Sequence, residues 1–297
     1  MFRKEIRVVG SWLVRVLKGP VTLFPVHPAA GALLIVLSLL LTAVTQIGGV
    51  LLWLETPVLH LMSRRMGRFG WLAGMGVFVM TYLAVMLLAV PPVAARFGRV
   101  PLPCSGAADA PLQPVSLAFC LLGRNYVTPG LRQILEDTAS TMHRAYPGRV
   151  LRYMDGGFPF FDGFPLLPHL SHDDGRKIDL AFYYRDVRTG KALQEPPSPI
   201  GYWAYEGPGI DEVRPCTGKR SWLRWDLTWF QPFFRNAHLD PEPTRVLVDR
   251  LSRSTAVQTI FIEPHLKRRL GLHSSKIRFQ GCQAARHDDH IHVSVNR

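Results

Sequence analysis

The stretch that decides the fold is His290-Ile-His-Val-Ser-Val295, within a chain of 297 residues. Side chains on a β-strand alternate between its two faces. The isoleucine and both valines of this stretch therefore point to one face, whereas His290 and His292 point to the other. We predict a strand whose apolar face contributes to a core and whose histidine face contributes to a chemical site.

A second strand with the same alternation is predicted upstream, at Lys177-Ile-Asp-Leu-Ala-Phe182. Its isoleucine, leucine and phenylalanine share one face, and Asp179 lies on the other. Two such strands lying side by side would direct Asp179 and His292 at one point. His172, on the loop that enters the upstream strand, can reach the same point.

Helical and strand-like patterns interleave through the rest of the C-terminal two thirds. The predicted helices are Gly130–Tyr146 and Glu242–Ser252. The predicted strands are Val115–Leu122, Arg149–Met154, Lys177–Tyr184, Val257–Ile262 and His290–Val295. Because the sequence lacks the glycine fingerprint of a βαβ nucleotide site, it indicates an α+β fold rather than a doubly wound sheet.

Two long uncharged runs precede this region, Ala29 to Leu54 and Trp71 to Val93. Each is long enough to cross the hydrocarbon core of a bilayer, about 30 Å, as a helix. The first run is too long for a cleavable secretory signal and a second run follows it, which predicts two retained transmembrane helices. Two buried helices of a soluble protein are the alternative.

The two runs divide the chain into four predicted parts. Residues 1–28 mix basic and apolar side chains, as does a helix that lies on a membrane surface. Residues 29–93 contain the two transmembrane helices and their connecting loop. Residues 94–114 form a linker rich in Pro, Gly and Ala, and residues 115–297 form the globular domain.

Charge and cysteine content limit the partners and the compartment. The formal net charge of +13 favours binding to membrane lipid or to acidic wall polymers. The basic residues are scattered, so no nucleic acid partner is predicted. The four cysteines include no CxxC pair and favour disulfides in an oxidising compartment, with unpaired buried thiols as the alternative. The pairing of Cys104, Cys120, Cys216 and Cys282 stays open.

Histidine and aspartate cluster in two segments, His169-Leu-Ser-His-Asp-Asp-Gly175 with the nearby Asp179, and His287-Asp-Asp-His-Ile-His292. Neutral imidazole and carboxylate groups are good zinc ligands. We predict that Zn²⁺ is bound by His172, Asp179 and His292. Three protein ligands leave a fourth position for water, whose pKa zinc lowers to about 7.

The remaining histidines of these clusters receive supporting roles. His290 shares a face with His292 and is predicted to accept the proton of the attacking water or to stabilise the tetrahedral intermediate. His287 is placed to assist it. His169 is predicted to be structural or to support a ligand. Histidines that only face solvent are the alternative explanation of the His-x-His pattern.

These motifs resemble the LAS group of zinc peptidases, which is marked by His-x6-Asp followed by His-x-His. The C-terminal domain is most similar to the penicillin-insensitive murein endopeptidases of that group. The first family motif is matched by Ser171, His172, Gly175 and Asp179. The second, a His-Asp-x-His-x-His-Val string, is matched by residues 287–293.

The resemblance implies a LAS/hedgehog-type domain with an antiparallel sheet. It also implies a metal held by His172, Asp179 and His292, and catalytic or site-lining roles for His287 and His290. Several features depart from the family pattern. The membrane anchor does not belong to it, and three segments have no counterpart that can be assigned. The first is Pro197–Tyr205, which is predicted to line the substrate site or to be structural. The other two are Arg224-Trp-Asp226 and Glu263-Pro-His265, which are predicted to be core or surface features.

Together these observations predict a membrane-anchored zinc metallopeptidase that hydrolyses amide bonds in murein stem peptides or their cross-links. Its expected partners are the peptidoglycan peptide and membrane lipid. Its expected location is the bacterial inner membrane, with the catalytic domain on the periplasmic side. The alternatives are a zinc-containing wall-binding or signalling module without hydrolysis, and a D,D-carboxypeptidase.

The charge distribution conflicts with the periplasmic side. Two spans place both chain ends on one side, and five basic residues precede the first span whereas three lie between the spans. By this count the C-terminal domain faces the cytoplasm, which leaves a cytoplasmic peptide as a further candidate substrate. The cysteines, the wall substrate and the tight clustering of the three arginines between the spans favour the outer face.

Overall fold

The computed structural model describes residues 28–104, 110–216, 224, 228–234 and 236–297. The predicted surface segment 1–28 lies outside the described residues apart from Pro28. The chain divides into two compact units, residues 1–93 and 94–297, and each is described by itself.

The described part of the N-terminal unit is helical. Helix α1 spans Pro28–Thr45, α2 spans Gly48–Met66, and a short 3₁₀ turn leads into a continuous helical stretch. That stretch consists of α3 (Gly70–Ala84), one π-helical turn (Val85–Ala89) and α4 (Val90–Arg96), whose last turn belongs to the C-terminal unit.

Among the described residues, one helix is long and apolar enough to cross a membrane, Gly70–Arg96. The prediction of two such helices is therefore wrong. The first uncharged run, Ala29 to Leu54, is divided between α1 and α2, and the apolar helix that it contains, Ala29–Thr45, is shorter than a membrane span requires. Helix α2 continues through Glu55 and ends with two arginines.

The division of this run has a local cause. Gln46 has a φ of 67°, a left-handed conformation that interrupts a helix. Thr45 Oγ1 accepts a hydrogen bond of 2.8 Å from the backbone N–H of Gly48, which caps the start of α2. A Cβ on Gly49 would lie 1.8 Å from the carbonyl oxygen of Ser38, so only glycine permits this close approach of α2 to α1.

The C-terminal unit is built on a six-stranded mixed sheet with strand order β10-β9-β11-β5-β4-β2. These strands are β2 (Leu112–Pro114), β4 (Leu151–Tyr153), β5 (Lys177–Ala181), β9 (Val257–Phe261), β10 (Ile277–Arg278) and β11 (His290–Val295). The central strands are antiparallel, and the β2–β4 and β9–β10 pairs are parallel. The prediction of an α+β fold is confirmed, with a sheet that is mixed rather than purely antiparallel.

Two small antiparallel sheets, four α-helices and a 3₁₀ helix at Thr228–Phe234 are the other elements in the described part of this unit. The small sheets pair β1 (Val100–Pro101) with β3 (Tyr126–Val127), and β6 (Tyr184–Asp186) with both β7 (Ala192–Leu193) and β8 (Ala237–Leu239). The helices are α5 (Leu117–Leu121), α6 (Pro129–Ala145), α7 (Pro241–Arg253) and α8 (Pro264–Arg269). Strands β1 and β2 lie in the range 94–114, which the sequence predicts to be a linker.

The main core is formed where the amphipathic helices α6 and α7 contribute their apolar faces to the same cluster as the sheet. Helix α6 begins where Thr128 Oγ1 accepts a hydrogen bond from the N–H of Leu131, and Pro129 occupies the first turn. Ile291 and Val293 of β11 are fully buried in this cluster, as the alternation predicts.

Two disulfides join the four cysteines, Cys104 to Cys120 and Cys216 to Cys282. The expectation of disulfides is confirmed, and the pairing that the sequence left open is now assigned. The first disulfide ties the segment between β1 and β2 to helix α5. The second ties the segment that follows Tyr205 to the loop that precedes β11.

A buried ion pair gives a stability prediction. Arg149 and Asp240 are both buried and form a salt bridge, and Arg185 Nε contacts the same carboxylate at 2.8 Å. Asp240→Asn is expected to lower the free energy of unfolding by about 3 to 5 kcal/mol, because it leaves a buried guanidinium without its counter-charge. Urea unfolding followed by near-ultraviolet circular dichroism measures this.

The matched control for that experiment is Asp249→Asn. Asp249 pairs with Arg245 at 3.3 Å on the surface of α7. Exposed pairs of this kind contribute about 0 to 1 kcal/mol, so its unfolding midpoint should stay near that of the unmodified protein. Equal effects of the two substitutions would contradict a structural role for the buried pair.

Candidate metal centre and its cavity

The three predicted zinc ligands meet at the centre of the six-stranded sheet. In the antiparallel β5–β11 pair, Asp179 lies directly opposite His292. His172 reaches the same point from the loop before β5. Gly175, with a φ of 65°, turns this loop back into the strand, and a Cβ there would lie 2.6 Å from Arg99 Nε. All three predicted ligands are buried.

The ligand atoms form a compact triangle. His172 Nε2 lies 3.1 Å from His292 Nδ1 and 3.2 Å from Asp179 Oδ1, and His292 Nδ1 lies 2.8 Å from Asp179 Oδ1. Zinc–nitrogen and zinc–oxygen bonds of about 2.0 to 2.2 Å in a tetrahedron separate neighbouring ligand atoms by roughly 3.3 Å. The three atoms therefore fit around one small divalent ion.

Hydrogen bonds fix which atoms face the centre. His172 Nδ1 donates to the carbonyl oxygen of Gly156 at 2.8 Å, which leaves Nε2 as the ring nitrogen available to a metal. The second oxygen of Asp179 accepts a hydrogen bond of 2.7 Å from the hydroxyl of Tyr202, so its first oxygen is left for the centre. The His292 ring stacks on Phe261. The donor atoms are thus oriented before any metal binds.

A second group of polar residues supports this triangle. Asp155 forms a two-pronged salt bridge with Arg124, at 2.6 and 2.8 Å. The same carboxylate contacts His169 Nδ1 at 2.9 Å and accepts a hydrogen bond from the Tyr202 hydroxyl at 3.1 Å. His169 Nδ1 also lies 3.4 Å from Asp179 Oδ2. Because Arg124 neutralises Asp155, this group supports the ligands rather than forming a second metal site.

His290 and His287 border the triangle. His290 Nδ1 donates to Asp289 Oδ1 at 2.6 Å, and its Nε2 lies 3.6 Å from Asp179 Oδ1. Asp289 is held by the backbone N–H of Trp203 at 2.6 Å. The His287 ring packs 4.9 Å from the His290 ring. The structure therefore places both predicted catalytic histidines beside the three ligand atoms.

Charge is distributed unevenly among these buried groups. Burial opposes the charged form of Asp179, but His172 and His290 hold its pKa well below the ordinary value. Burial lowers the pKa of His290, but Asp179 and Asp289 outweigh it and raise the pKa to about 9. Burial lowers the pKa of His292 to about 4 even though Asp179 favours its charged form. Without metal, the carboxylate is thus balanced by protons on neighbouring imidazoles.

Metal binding should release a proton wherever His172 is protonated. Burial lowers the pKa of His172, but Asp179 more than offsets this, so the net pKa is raised and Nε2 carries a proton below that value. A metal must displace this proton, so affinity should rise by roughly tenfold per pH unit for each proton displaced. Calorimetry with Zn²⁺ in buffers of different ionisation enthalpy measures the protons released. A zinc affinity that does not change with pH would contradict ligation by His172.

The ligand triangle lies in a cavity of about 530 Å³. Its walls include apolar side chains and three arginines, Arg124, Arg224 and Arg286. The segment Pro197–Tyr205, one of whose predicted roles is to line the substrate site, contributes Ile200, Tyr202, Trp203 and Tyr205 to the walls. This volume falls within the range typical of small-molecule and peptide sites.

Described residues from the two other unassigned segments contact each other and the second histidine cluster. Glu263 Oε1 accepts hydrogen bonds from the backbone N–H of His287 and from Arg224 at 3.1 Å. His265 is fully buried and its Nε2 donates to the carbonyl oxygen of Glu206 at 2.8 Å. The predicted surface or core role fits His265, whereas Arg224 lines the cavity. Trp225 and Asp226 lie outside the described residues.

Tyr202→Phe is expected to weaken metal binding by about 10- to 100-fold, because it removes the hydrogen bond that orients Asp179. Tyr183→Phe is the matched control. It also removes a buried hydroxyl, but one without a hydrogen-bond partner among the described residues. Chelator competition measures both affinities, and equal loss in the two variants would contradict a ligand-orienting role for Tyr202.

Three supporting residues, Tyr202, Asp155 and Asp289, were not predicted individually from the sequence. Asp289 lay inside the second histidine cluster but received no role. Asp155 had a usable signal, since it follows β4 and precedes Gly156 and Gly157, a sign of close backbone approach. Tyr202 is 23 residues from Asp179 along the chain, and no local spacing connects them.

A scan against protein-family models finds none that matches this chain, and a search of curated proteins finds no match.

Proposed function

We propose that this protein is a membrane-anchored zinc peptidase of the LAS type that hydrolyses amide bonds in murein peptides. The observation that carries the proposal is the triangle of His172, Asp179 and His292, with His290 Nε2 3.6 Å from Asp179. Zinc bound by three ligands supplies an electrophile and an activated water nucleophile. The cavity above it has room for a peptide segment.

The protein's own residues would divide the remaining work. A metal held by Asp179 would offset the negative charge that raises the pKa of His290, so that its Nε2 could take a proton from the nucleophile and return it to the leaving amine. Asp289 keeps the other ring nitrogen of His290 protonated and thereby sets the tautomer. His287 is buried, and burial together with the neighbouring imidazoles lowers its pKa well below the ordinary value, so it is neutral. A neutral His287 contacts His290 without repelling it.

A single spanning helix supports a C-terminal unit on the outer face. If Gly70–Arg96 is the only span, the two chain ends lie on opposite sides of the membrane. Arg64, Arg65 and Arg68 then face the cytoplasm together with the basic N-terminal segment, as the positive-inside rule requires. The C-terminal unit faces outward, where its two disulfides are stable. We therefore propose the periplasmic side of a bacterial inner membrane.

Murein is proposed as the substrate because the motifs resemble those of murein endopeptidases. The motifs at residues 171–179 and 287–293 are similar to those of murein endopeptidases, and a net charge of +13 suits the acidic polymers of a cell wall. An enzyme tethered to the membrane would act on peptides within reach of its anchor. These points favour stem peptides or cross-links over a diffusing substrate.

The deciding experiment is digestion of purified sacculi by the full-length protein in detergent with added Zn²⁺. Mass analysis of the soluble products should show cross-link or stem-peptide cleavage that stops with a chelator and returns with zinc. Release of D-alanine alone would indicate a D,D-carboxypeptidase instead. Binding to sacculi without released fragments would overturn hydrolysis and leave a wall-binding module.

A further inference from the structure

The loop that brings His172 to the metal centre has an unusually apolar surface. Residues 158–170, FPFFDGFPLLPHL, connect the region after β4 to the first histidine cluster, and we name them the docking loop. Its most exposed large side chains are Phe161, 61% exposed, Leu167, 53%, and Leu170, 45%. Scattered apolar residues are normal on a surface, but several in one short loop mark an interaction site.

The docking loop packs against the residue that follows the apolar helix. Phe97 comes directly after Arg96, the last residue of that helix, and is itself 45% exposed. The centroid of its ring lies 5.4 Å from the ring centroids of both Phe160 and Phe161. Arg99 forms a salt bridge with Asp162 at the tip of the same loop. The last helical turn, Phe97 and the loop all belong to the C-terminal unit.

This continuity determines what covers the loop. A helix that crosses the membrane and ends at Arg96 places Phe97 at the lipid–water boundary, since consecutive Cα atoms are about 3.8 Å apart. The aromatic rings in contact with Phe97 then lie at the same depth. Phe and Leu side chains on the apolar face of an interfacial segment enter the headgroup region.

We propose that the docking loop rests in the outer headgroup region of the membrane that the chain's own helix crosses. Pro168 and Leu170 of this loop also line the catalytic cavity. Docking would therefore hold one wall of the cavity at the lipid surface and present the site to peptides carried there. The inference rests on the proposed membrane anchor but not on the proposed hydrolysis.

The test uses full-length protein in nanodiscs of phosphatidylethanolamine and phosphatidylglycerol. All four native cysteines are paired, so Leu167→Cys, Phe161→Cys and the control Val187→Cys each carry a single free thiol. The side chain of Val187 is 51% exposed, a fraction similar to that of Leu167. Val187 directly follows β6 and lies outside the docking loop. Each thiol is labelled with an environment-sensitive fluorophore, and lipids with a spin label near the headgroup act as quenchers.

We expect quenching to be several-fold stronger at positions 167 and 161 than at position 187. Quenching at position 167 is easier to interpret than quenching at position 161, because Phe161 also contacts Phe97. Equal quenching at all three positions would overturn the proposal. A disulfide-linked dimer formed through Phe161→Cys would also overturn it, because a second copy of the chain would then cover the loop. Resistance to alkaline extraction verifies insertion, and loss of the protein from the membrane would overturn both the anchor and the docking loop. Sacculus digestion, measured separately, tests hydrolysis alone.

Discussion

Replacing His292 with alanine is expected to abolish metal binding and hydrolysis together. His292 Nδ1 lies 2.8 Å from Asp179 Oδ1 and 3.1 Å from His172 Nε2, so the substitution leaves two of the three ligand atoms. Two ligands cannot define a tetrahedral site with one open position. Metal content after equilibration with zinc and a competing chelator measures the loss, and His172→Ala should give the same result.

The control is His238→Ala, which removes an exposed imidazole on β8 and should change neither metal content nor turnover. Because alanine leaves space in a buried site, His292→Gln provides a second variant of similar size. It should also lose the metal, since a carboxamide is a poor zinc ligand compared with imidazole. Retention of zinc at the original affinity in either His292 variant would refute the ligand assignment.

Local alternation carried most of the successful predictions. The strand His290–Val295 is observed with the predicted bounds, and its apolar residues lie in the core. The alternation of side chains between two faces is set by the backbone of a single strand, so it can be recognised in the sequence without knowledge of the fold. The pairing of β11 with β5 is a tertiary fact, yet the shared alternation of Asp179 and His292 indicated it.

The failed predictions depended on specific contacts that a run of apolar residues does not indicate. The segment Val115–Leu122 has a strand-like apolar run, but it forms helix α5 after Ser116, whose Oγ accepts a hydrogen bond from the N–H of Ala118. Its Cys120 is tied to Cys104, a constraint that the sequence does not specify. The break between α1 and α2 likewise depends on the approach of Gly49 to Ser38, which no run of uncharged residues reveals.

His290→Ala is expected to retain zinc and to lower kcat by about 10²- to 10⁴-fold, the usual contribution of a positioned general acid or base. Its Nε2 lies 3.6 Å from Asp179 Oδ1, beyond hydrogen-bond range, and its Nδ1 is occupied by Asp289. It is therefore close enough to exchange a proton at the centre without belonging to the ligand triangle. Zinc content and turnover on released murein peptides are measured on the same preparation.

Asp289→Asn separates a proton-transfer role from a packing role. The amide can still contact His290, but it no longer provides the negative charge that helps to raise the pKa of that imidazole. We expect an intermediate loss of kcat with unchanged zinc content, together with a shift of the pH–rate profile that a packing defect would not produce. If His290→Ala lost the metal as well, His290 would be a ligand. If it kept full turnover, another group would have to move the proton.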